Sequence, residues 1–129
     1  LDYGPACRKE DYLGIDILPE MVEAALLRRP GWHFEEGDIN EPNPHWAADY
    51  VVASGLFQFA NSPFVILKNL YALSRKAVAV NFLRDGDTNE YFWPPGLGLN
   101  MALALTPYVT LRADYLPNDF TLYLYKEKQ

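Results

Sequence analysis

The feature that most constrains this chain is a regular alternation of short, β-rich apolar runs with helical stretches. Continuous apolar runs of about four to eight residues are typical of buried parallel strands, and helices then connect each strand to the next. This pattern predicts an α/β fold with a parallel sheet covered by helices on both faces. The predicted strands are Leu1–Tyr3, Tyr12–Ile17, Trp32–Glu36, Asp49–Ser54, Ala77–Leu83, Tyr108–Asp114 and Phe120–Lys126.

Proline and serine mark where the helices of this pattern begin. The first helix is predicted to start at Pro19, and the second at Pro63 with Ser62 as its N-cap. A third helix is predicted near Leu99–Leu105. The last two strands are separated by Leu-Pro-Asn-Asp at 116–119, which is a turn signal and predicts an antiparallel hairpin at one edge of the sheet.

The length of 129 residues, half of them hydrophobic, fits a single domain spanning residues 1–129. The link between the first two predicted strands is nevertheless too short. Only eight residues, Gly4 to Asp11, are available, whereas a crossover that includes a helix needs about a dozen. We therefore expect the first βα unit to be incomplete, with a segment absent between about residues 4 and 11 through omission or true deletion.

Composition argues against several classes of partner. The formal charge of −6 disfavours binding to a phosphate backbone, so no nucleic-acid partner is expected. The one cysteine, Cys7, excludes an internal disulfide framework and suits a reducing cytoplasm. No apolar run is long enough to span a membrane, and Cys7, His33 and His45 lie too far apart for a metal-ligand spacing. We expect a cytoplasmic protein that binds neither membrane nor metal.

Four motifs occur in a fixed order along the chain. They are Leu-Asp-Tyr-Gly at 1–4, Gly-Ile-Asp-Ile-Leu-Pro-Glu-Met at 14–21, Phe-Glu-Glu-Gly-Asp-Ile at 34–39 and Asp-Tyr-Val-Val-Ala-Ser-Gly at 49–55. Together with the closing strand pair, they resemble the motifs of the class I, Rossmann-like S-adenosylmethionine (SAM)-dependent methyltransferases. The resemblance implies a mostly parallel seven-stranded sheet with a C-terminal antiparallel hairpin, a methyltransferase activity, and SAM as the cofactor.

The resemblance also implies a cofactor site at the carboxyl ends of the strands, where ligands bind in open α/β sheets. Asp16 would accept both ribose hydroxyls, Asp38 would take the adenine amino group, and apolar side chains would flank the adenine. Ser54 and Gly55 would lie beside the sulfonium. The implied set of cofactor-binding residues is Asp2, Gly4, Asp16, Ile17, Met21, Asp38, Ile39, Ser54 and Gly55.

Each role has a simpler structural alternative. Asp16 could be a carboxylate stabilised by the dipole of the following helix, and Asp38 could make an Asx hydrogen bond in a turn. The apolar residues Ile17, Met21 and Ile39 could equally belong to the core.

An aromatic segment after the fifth predicted strand lies where methyltransferases often place substrate-binding insertions. Tyr91 and Trp93 of this segment are therefore predicted to contact the methyl acceptor, although they could instead pack as core. Phe57, just after the fourth predicted strand, is also predicted to contact the acceptor. Both histidines are interpreted as surface residues, and no catalytic base is identified. The acceptor is expected to be a small molecule or a protein. A non-catalytic module that binds a protein partner and an NAD-dependent oxidoreductase remain alternatives, and oligomeric state is open.

Overall fold

The computed structural model describes residues 7–54, 62–83, 95–113 and 119–129. By internal contacts the chain divides into two compact units, residues 1–46 and 47–129. Short 3₁₀ helices lie at Lys9–Asp11 and Pro44–Trp46. The strands and helices are β1 (Leu13–Asp16), α1 (Pro19–Arg28), β2 (His33–Glu36), β3 (Ala48–Ser54), α2 (Pro63–Leu73), β4 (Ser74–Leu83), α3 (Pro95–Leu103), β5 (Val109–Arg112) and β6 (Asp119–Tyr125).

The first unit is a β-α-β arrangement whose two strands run parallel. The register pairs Leu13 with His33 and continues to the ends of both strands. Gly31 lets the chain turn back from α1 into β2, since its φ of 88° lies in the left-handed region that other residues rarely adopt. Gly14 lies opposite Phe34, and a Cβ at Gly14 would be 2.6 Å from the Phe34 ring. Glycine therefore lets that ring lie across β1.

The second unit is a four-stranded sheet with the order β3-β4-β6-β5. β3 and β4 are parallel, whereas β6 runs antiparallel to both β4 and β5. Alternate residues of β4 and β6 form the core on one face, and Phe82 stacks on Phe120 with ring centroids 5.0 Å apart. The side chains of this face that are at most 2% exposed are Val78, Val80, Phe82, Phe120, Leu122 and Leu124.

Both helices of the second unit cover that buried face. α2 and α3 contact each other, and α2 contributes the fully buried Leu67. α3 approaches β6 through Gly98, where a Cβ would lie 3.2 Å from the Phe120 ring. On the other face, Tyr50 and Val52 are 65% and 76% exposed. Both helices described within the second unit therefore lie on one face of its sheet.

The structure confirms an α/β chain that ends in an antiparallel strand pair. The prediction of one seven-stranded, mostly parallel sheet is wrong: the described ranges form six strands in two sheets, and two of the four strand pairings are antiparallel. An apolar run identifies a strand but does not specify its neighbour, which depends on long-range pairing. The seventh predicted strand, Leu1–Tyr3, lies outside the described residues.

The helices were placed well by sequence, apart from the start of α3. Both α1 and α2 begin at the prolines that were predicted to open them. α3 begins at Pro95 instead of near Leu99, because proline is compatible with a first helical position and Gly96 and Gly98 are tolerated inside the helix. None of the helices in the described ranges is long and apolar enough to cross a bilayer. The single-domain interpretation and the absent segment stay predictions.

The stacked pair Phe82–Phe120 predicts how stability is distributed in the second unit. Phe120→Ala would leave a cavity beneath α3 and is expected to lower the free energy of unfolding by about 3–5 kcal/mol. Tyr50→Ala is a matched aromatic truncation on the exposed face and is expected to cost less than about 1 kcal/mol. Urea denaturation of both variants measures these changes. Similar losses for the two variants would contradict this description of the core.

Candidate functional site

The carboxyl ends of β1 and β2 lie side by side and bring two acidic turns together. Asp16 pairs with Glu36 in the parallel register, and the Gly37 N–H donates to the Asp16 carbonyl oxygen at 2.9 Å. Asp38 is the next residue along the chain. The two aspartates that were predicted to bind a cofactor therefore lie at the same edge of this sheet, the edge where ligands bind in open α/β folds.

Asp16 uses one carboxylate oxygen to fix the entry of the chain into α1. The Leu18 N–H donates to Asp16 Oδ1 at 2.9 Å, and Pro19 follows as the first residue of the helix. This turn holds the half-buried carboxylate beside the positive end of the helix dipole. No described residue donates to Oδ2, so that atom can accept hydrogen bonds from a ligand.

Asp38 is also held by a turn of its own. Its Oδ1 accepts from the Asn40 backbone N–H at 2.9 Å and from Asn40 Nδ2 at 3.1 Å. The Glu41 N–H closes the turn by donating to the Asp38 carbonyl oxygen at 2.9 Å. The Asx-turn alternative for Asp38 is thus observed. Within the described residues, the hydrogen bonds to this carboxylate use Oδ1 and leave Oδ2 without a donor.

Apolar side chains flank the two turns, and several are exposed. Ile17 and Met21 are 58% and 52% exposed, and Ile39 is half-buried. Leaving such apolar surface in water costs about 25 cal/mol for each Å², so this edge is suited to cover a flat apolar group. Asp16 and Met21 also line a cavity of about 210 Å³, together with Tyr12, Gly14, Ile15, Val22, Ala25 and Phe34.

Trp46 packs against this edge, which the sequence analysis did not foresee. It is 8% exposed and is the only buried side chain among the described residues 7–46. Its ring lies directly over the Gly37 backbone, since a Cβ at Gly37 would be 2.5 Å from Trp46 Cη2 and 3.2 Å from Ile15 Cγ2. An aromatic residue inside a polar, proline-containing loop was the available signal for this contact.

Glu35, on β2, accepts hydrogen bonds from both Trp46 and His45. The indole Nε1–H of Trp46 donates to Glu35 Oε1 at 3.3 Å, and His45 Nε2 lies 2.9 Å from Oε2. Since an ionised carboxylate only accepts, His45 Nε2 must carry the proton. The hydrogen bonds from His45 and then Trp46 favour the ionised form and hold the pKa of Glu35 below its ordinary value. His45 is exposed, as predicted, but it has a specific partner.

Of the remaining predicted site residues, only Ser54 lies within the described part of the chain. Ser54 is the exposed last residue of β3 and pairs in register with Asn81 of β4. Asn81 donates from Nδ2 to the Phe120 carbonyl oxygen at 3.4 Å.

No group of three or more metal-ligating side chains is found within the described ranges. Six predicted site residues lie outside the described residues: Asp2, Gly4, Gly55, Phe57, Tyr91 and Trp93.

Comparison with known proteins defines the fold. The structure of the CMeT domain of the citrinin polyketide synthase matches 92% of this chain, with a TM-score of 0.77 and 11% identity. It matches a TehB-like SAM-dependent methyltransferase from Corynebacterium glutamicum over 91% of its length, with a TM-score of 0.69 and 16% identity. Magnesium protoporphyrin IX methyltransferase (ChlM) from Synechocystis with bound SAH matches over 89%, with a TM-score of 0.70 and 12% identity. The chain therefore has the fold of the class I SAM-dependent methyltransferases.

These matches rest on structure, since no family model and no curated protein sequence matches the chain. The chain spans 40% of the citrinin synthase structure, 68% of the TehB-like protein and 64% of ChlM. The family resemblance found in the motifs is confirmed at the level of the fold.

The contact between Gly37 and Trp46 predicts a local response to a single methyl group. Gly37→Ala is expected to displace the indole ring and to cost about 1–3 kcal/mol, because the new Cβ would overlap the ring. The displacement of the ring is measured as a shift of the Trp46 indole N–H resonance by NMR, and the loss of stability is measured by urea denaturation. Gly96→Ala is the control, since nothing lies within 4 Å of a Cβ there. An unshifted Trp46 resonance in Gly37→Ala would contradict this packing.

The lowered pKa of Glu35 predicts a transition in acid. The hydrogen bonds from His45 and Trp46 stabilise the native state fully above the ordinary pKa of glutamate, and this contribution is lost as the pH falls through the lowered value. The Trp46 indole N–H resonance should therefore titrate with a midpoint below the ordinary pKa of a glutamate. Glu35→Gln should abolish the transition. A midpoint at or above the ordinary value would contradict the assignment.

Proposed function

We propose that this chain forms a SAM-dependent methyltransferase domain whose cofactor binds at the carboxyl edge of β1 and β2. The observation that carries the proposal is the hydrogen bond from the Gly37 N–H to the Asp16 carbonyl oxygen. It brings two carboxylates to one edge within a fold shared with methyltransferases, and one of the matched structures has SAH bound.

Asp16 is the proposed acceptor for the ribose hydroxyls. Its Oδ1 is oriented by the Leu18 N–H, which leaves Oδ2 facing no described donor. A carboxylate accepts strongly from hydroxyl donors, and each charge-assisted hydrogen bond contributes about 1.5–3 kcal/mol. Because the turn fixes the carboxylate before a ligand arrives, little additional ordering is required on binding.

Asp38 and the neighbouring apolar side chains are the proposed adenine site. Oδ2 of Asp38 would accept from the exocyclic amino group, while Oδ1 keeps its two bonds to Asn40. The exposed side chains of Ile17 and Met21, with Ile39, would cover the faces of the ring. Covering them removes apolar surface from water, which offsets the cost of ordering the ligand.

The other proposed contacts complete the site. Asp2 and Gly4 would come from the first motif, and Ser54 and Gly55 would lie beside the sulfonium. The methyl acceptor, a small molecule or a protein, would contact Phe57, Tyr91 and Trp93. A cytoplasmic location is proposed because Cys7 is exposed and not disulfide-bonded.

SAM supplies a methyl group on a sulfonium that is already a good leaving group. The protein therefore has to orient the reacting atoms in line and exclude water, and a base is needed only for an acceptor that must lose a proton. In this chain, the carboxylates of Asp16 and Asp38 would fix the nucleoside end of the ligand. Fixing that end restricts the positions that the reactive end of the ligand can take.

Isothermal titration of the full chain with SAM, SAH and NADH tests the proposal. SAM and SAH are expected to bind with micromolar dissociation constants. Asp16→Ala is expected to weaken both by at least about 100-fold, the equivalent of two lost hydrogen bonds to a charged group. Asp11→Ala is the matched control, because Asp11 precedes β1 at its opposite end and pairs with the exposed Arg8 at 2.9 Å.

The outcomes separate the alternatives. Failure of the folded full chain to bind SAM and SAH would overturn the proposal. Binding of NADH in that case would favour the oxidoreductase, and binding of none of the three would favour a module that binds a protein partner.

A further inference from the structure

A single buried side chain supports the turn that carries Asp38. Trp46 is the only buried side chain in the described residues 7–46, and it lies nine residues along the chain from Gly37. Its ring occupies the space beside the Gly37 backbone where any other residue would place a Cβ. The ring therefore contacts the backbone at the residue immediately before Asp38.

The ring is also held by a hydrogen bond to β2. Its Nε1–H donates to Glu35 Oε1 at 3.3 Å, and the second oxygen of Glu35 accepts from His45 at 2.9 Å. The 3₁₀ helix Pro44–Trp46 is itself fixed at Asn43, whose carbonyl oxygen accepts from the Trp46 N–H and whose side chain accepts from the His45 N–H. The loop from Gly37 to Trp46 is thus closed onto the end of β2.

We propose that Trp46 is a positioning residue that sets the location of Asp38 and thereby the selectivity of the site for adenine. This inference rests on the proposed function and adds a residue that does not itself contact the ligand. A backbone held by a rigid ring places the Asp38 turn in one position, whereas a smaller side chain would let the turn move. A carboxylate displaced by about 1 Å loses much of a directional hydrogen bond.

The test compares SAH with its 6-deamino analogue, in which a hydrogen atom replaces the amino group and the ring nitrogen N1 stays an acceptor. The ratio of the two dissociation constants reports the contact between Asp38 and the amino group and cancels effects shared by both ligands. The wild-type ratio is expected to be about tenfold or more, because the analogue leaves the Asp38 carboxylate without the donor of the amino group. Asp38→Ala should reduce the ratio to near one.

Substitution of Trp46 should reduce the same ratio without changing Asp38. Trp46→Ala is expected to lower it severalfold. Trp46→Phe should lower it by a smaller factor, because it keeps an aromatic ring but lacks the Cζ2 and Cη2 atoms that lie against Gly37. In the Asp38→Ala background, Trp46→Ala should change the ratio no further. Trp32→Ala is the matched control, since this half-buried tryptophan packs on Tyr12 with ring centroids 5.3 Å apart and should leave the ratio unchanged.

Glu35→Ala is a second variant that tests the proposal if Trp46→Ala does not fold. It keeps the ring but removes the hydrogen bonds from Trp46 and His45, so the ratio should fall partway. An unchanged ratio in Glu35→Ala or in a folded Trp46→Ala would overturn the positioning role, as would equal weakening of both ligands by Trp46→Ala. Absence of SAH binding by the wild type would overturn the proposed function, and the inference with it. Intact SAH binding with an unchanged ratio would overturn the inference alone.

Discussion

The hydrogen bond between the Gly37 N–H and the Asp16 carbonyl oxygen is the interaction on which the candidate site depends. It extends the parallel register of β1 and β2 by one residue beyond the strands, so two turns that are distant in sequence begin side by side. Each turn carries an aspartate with one oxygen bound to its own backbone, at Leu18 and at Asn40. A site made this way is ordered before any ligand binds, which lowers the entropy lost on binding.

Local signals allowed the helices and most strands to be predicted. Proline at a helix start acts through its own fixed φ, and an apolar run acts through burial, so both can be recognised without knowing the fold. The arrangement of the sheets could not be derived in this way. Pairing depends on contacts between distant residues, such as Phe82 with Phe120, and the seven-stranded sheet inferred from the family resemblance exceeded the six strands that are described.

The candidate site shows the same division between local and long-range information. Asp16 and Asp38 could be selected because each follows a predicted strand, and the structure places both at one sheet edge. Trp46 could not be assigned, because its importance comes from the absence of a Cβ at Gly37, nine residues away. His45 was correctly placed at the surface, but its bond to Glu35 joins two segments that the sequence treats as unrelated.

The Asx turns at Asp16 and Asp38 do not compete with a ligand-binding role. A carboxylate has two oxygens and about four acceptor positions, so one or two backbone bonds leave capacity for a ligand. The turn also removes the rotational freedom of the side chain in advance. For Asp38, the second requirement is a fixed backbone, and the ring of Trp46 against Gly37 supplies it. The structural interpretation of each aspartate is therefore part of the physical basis for the functional one.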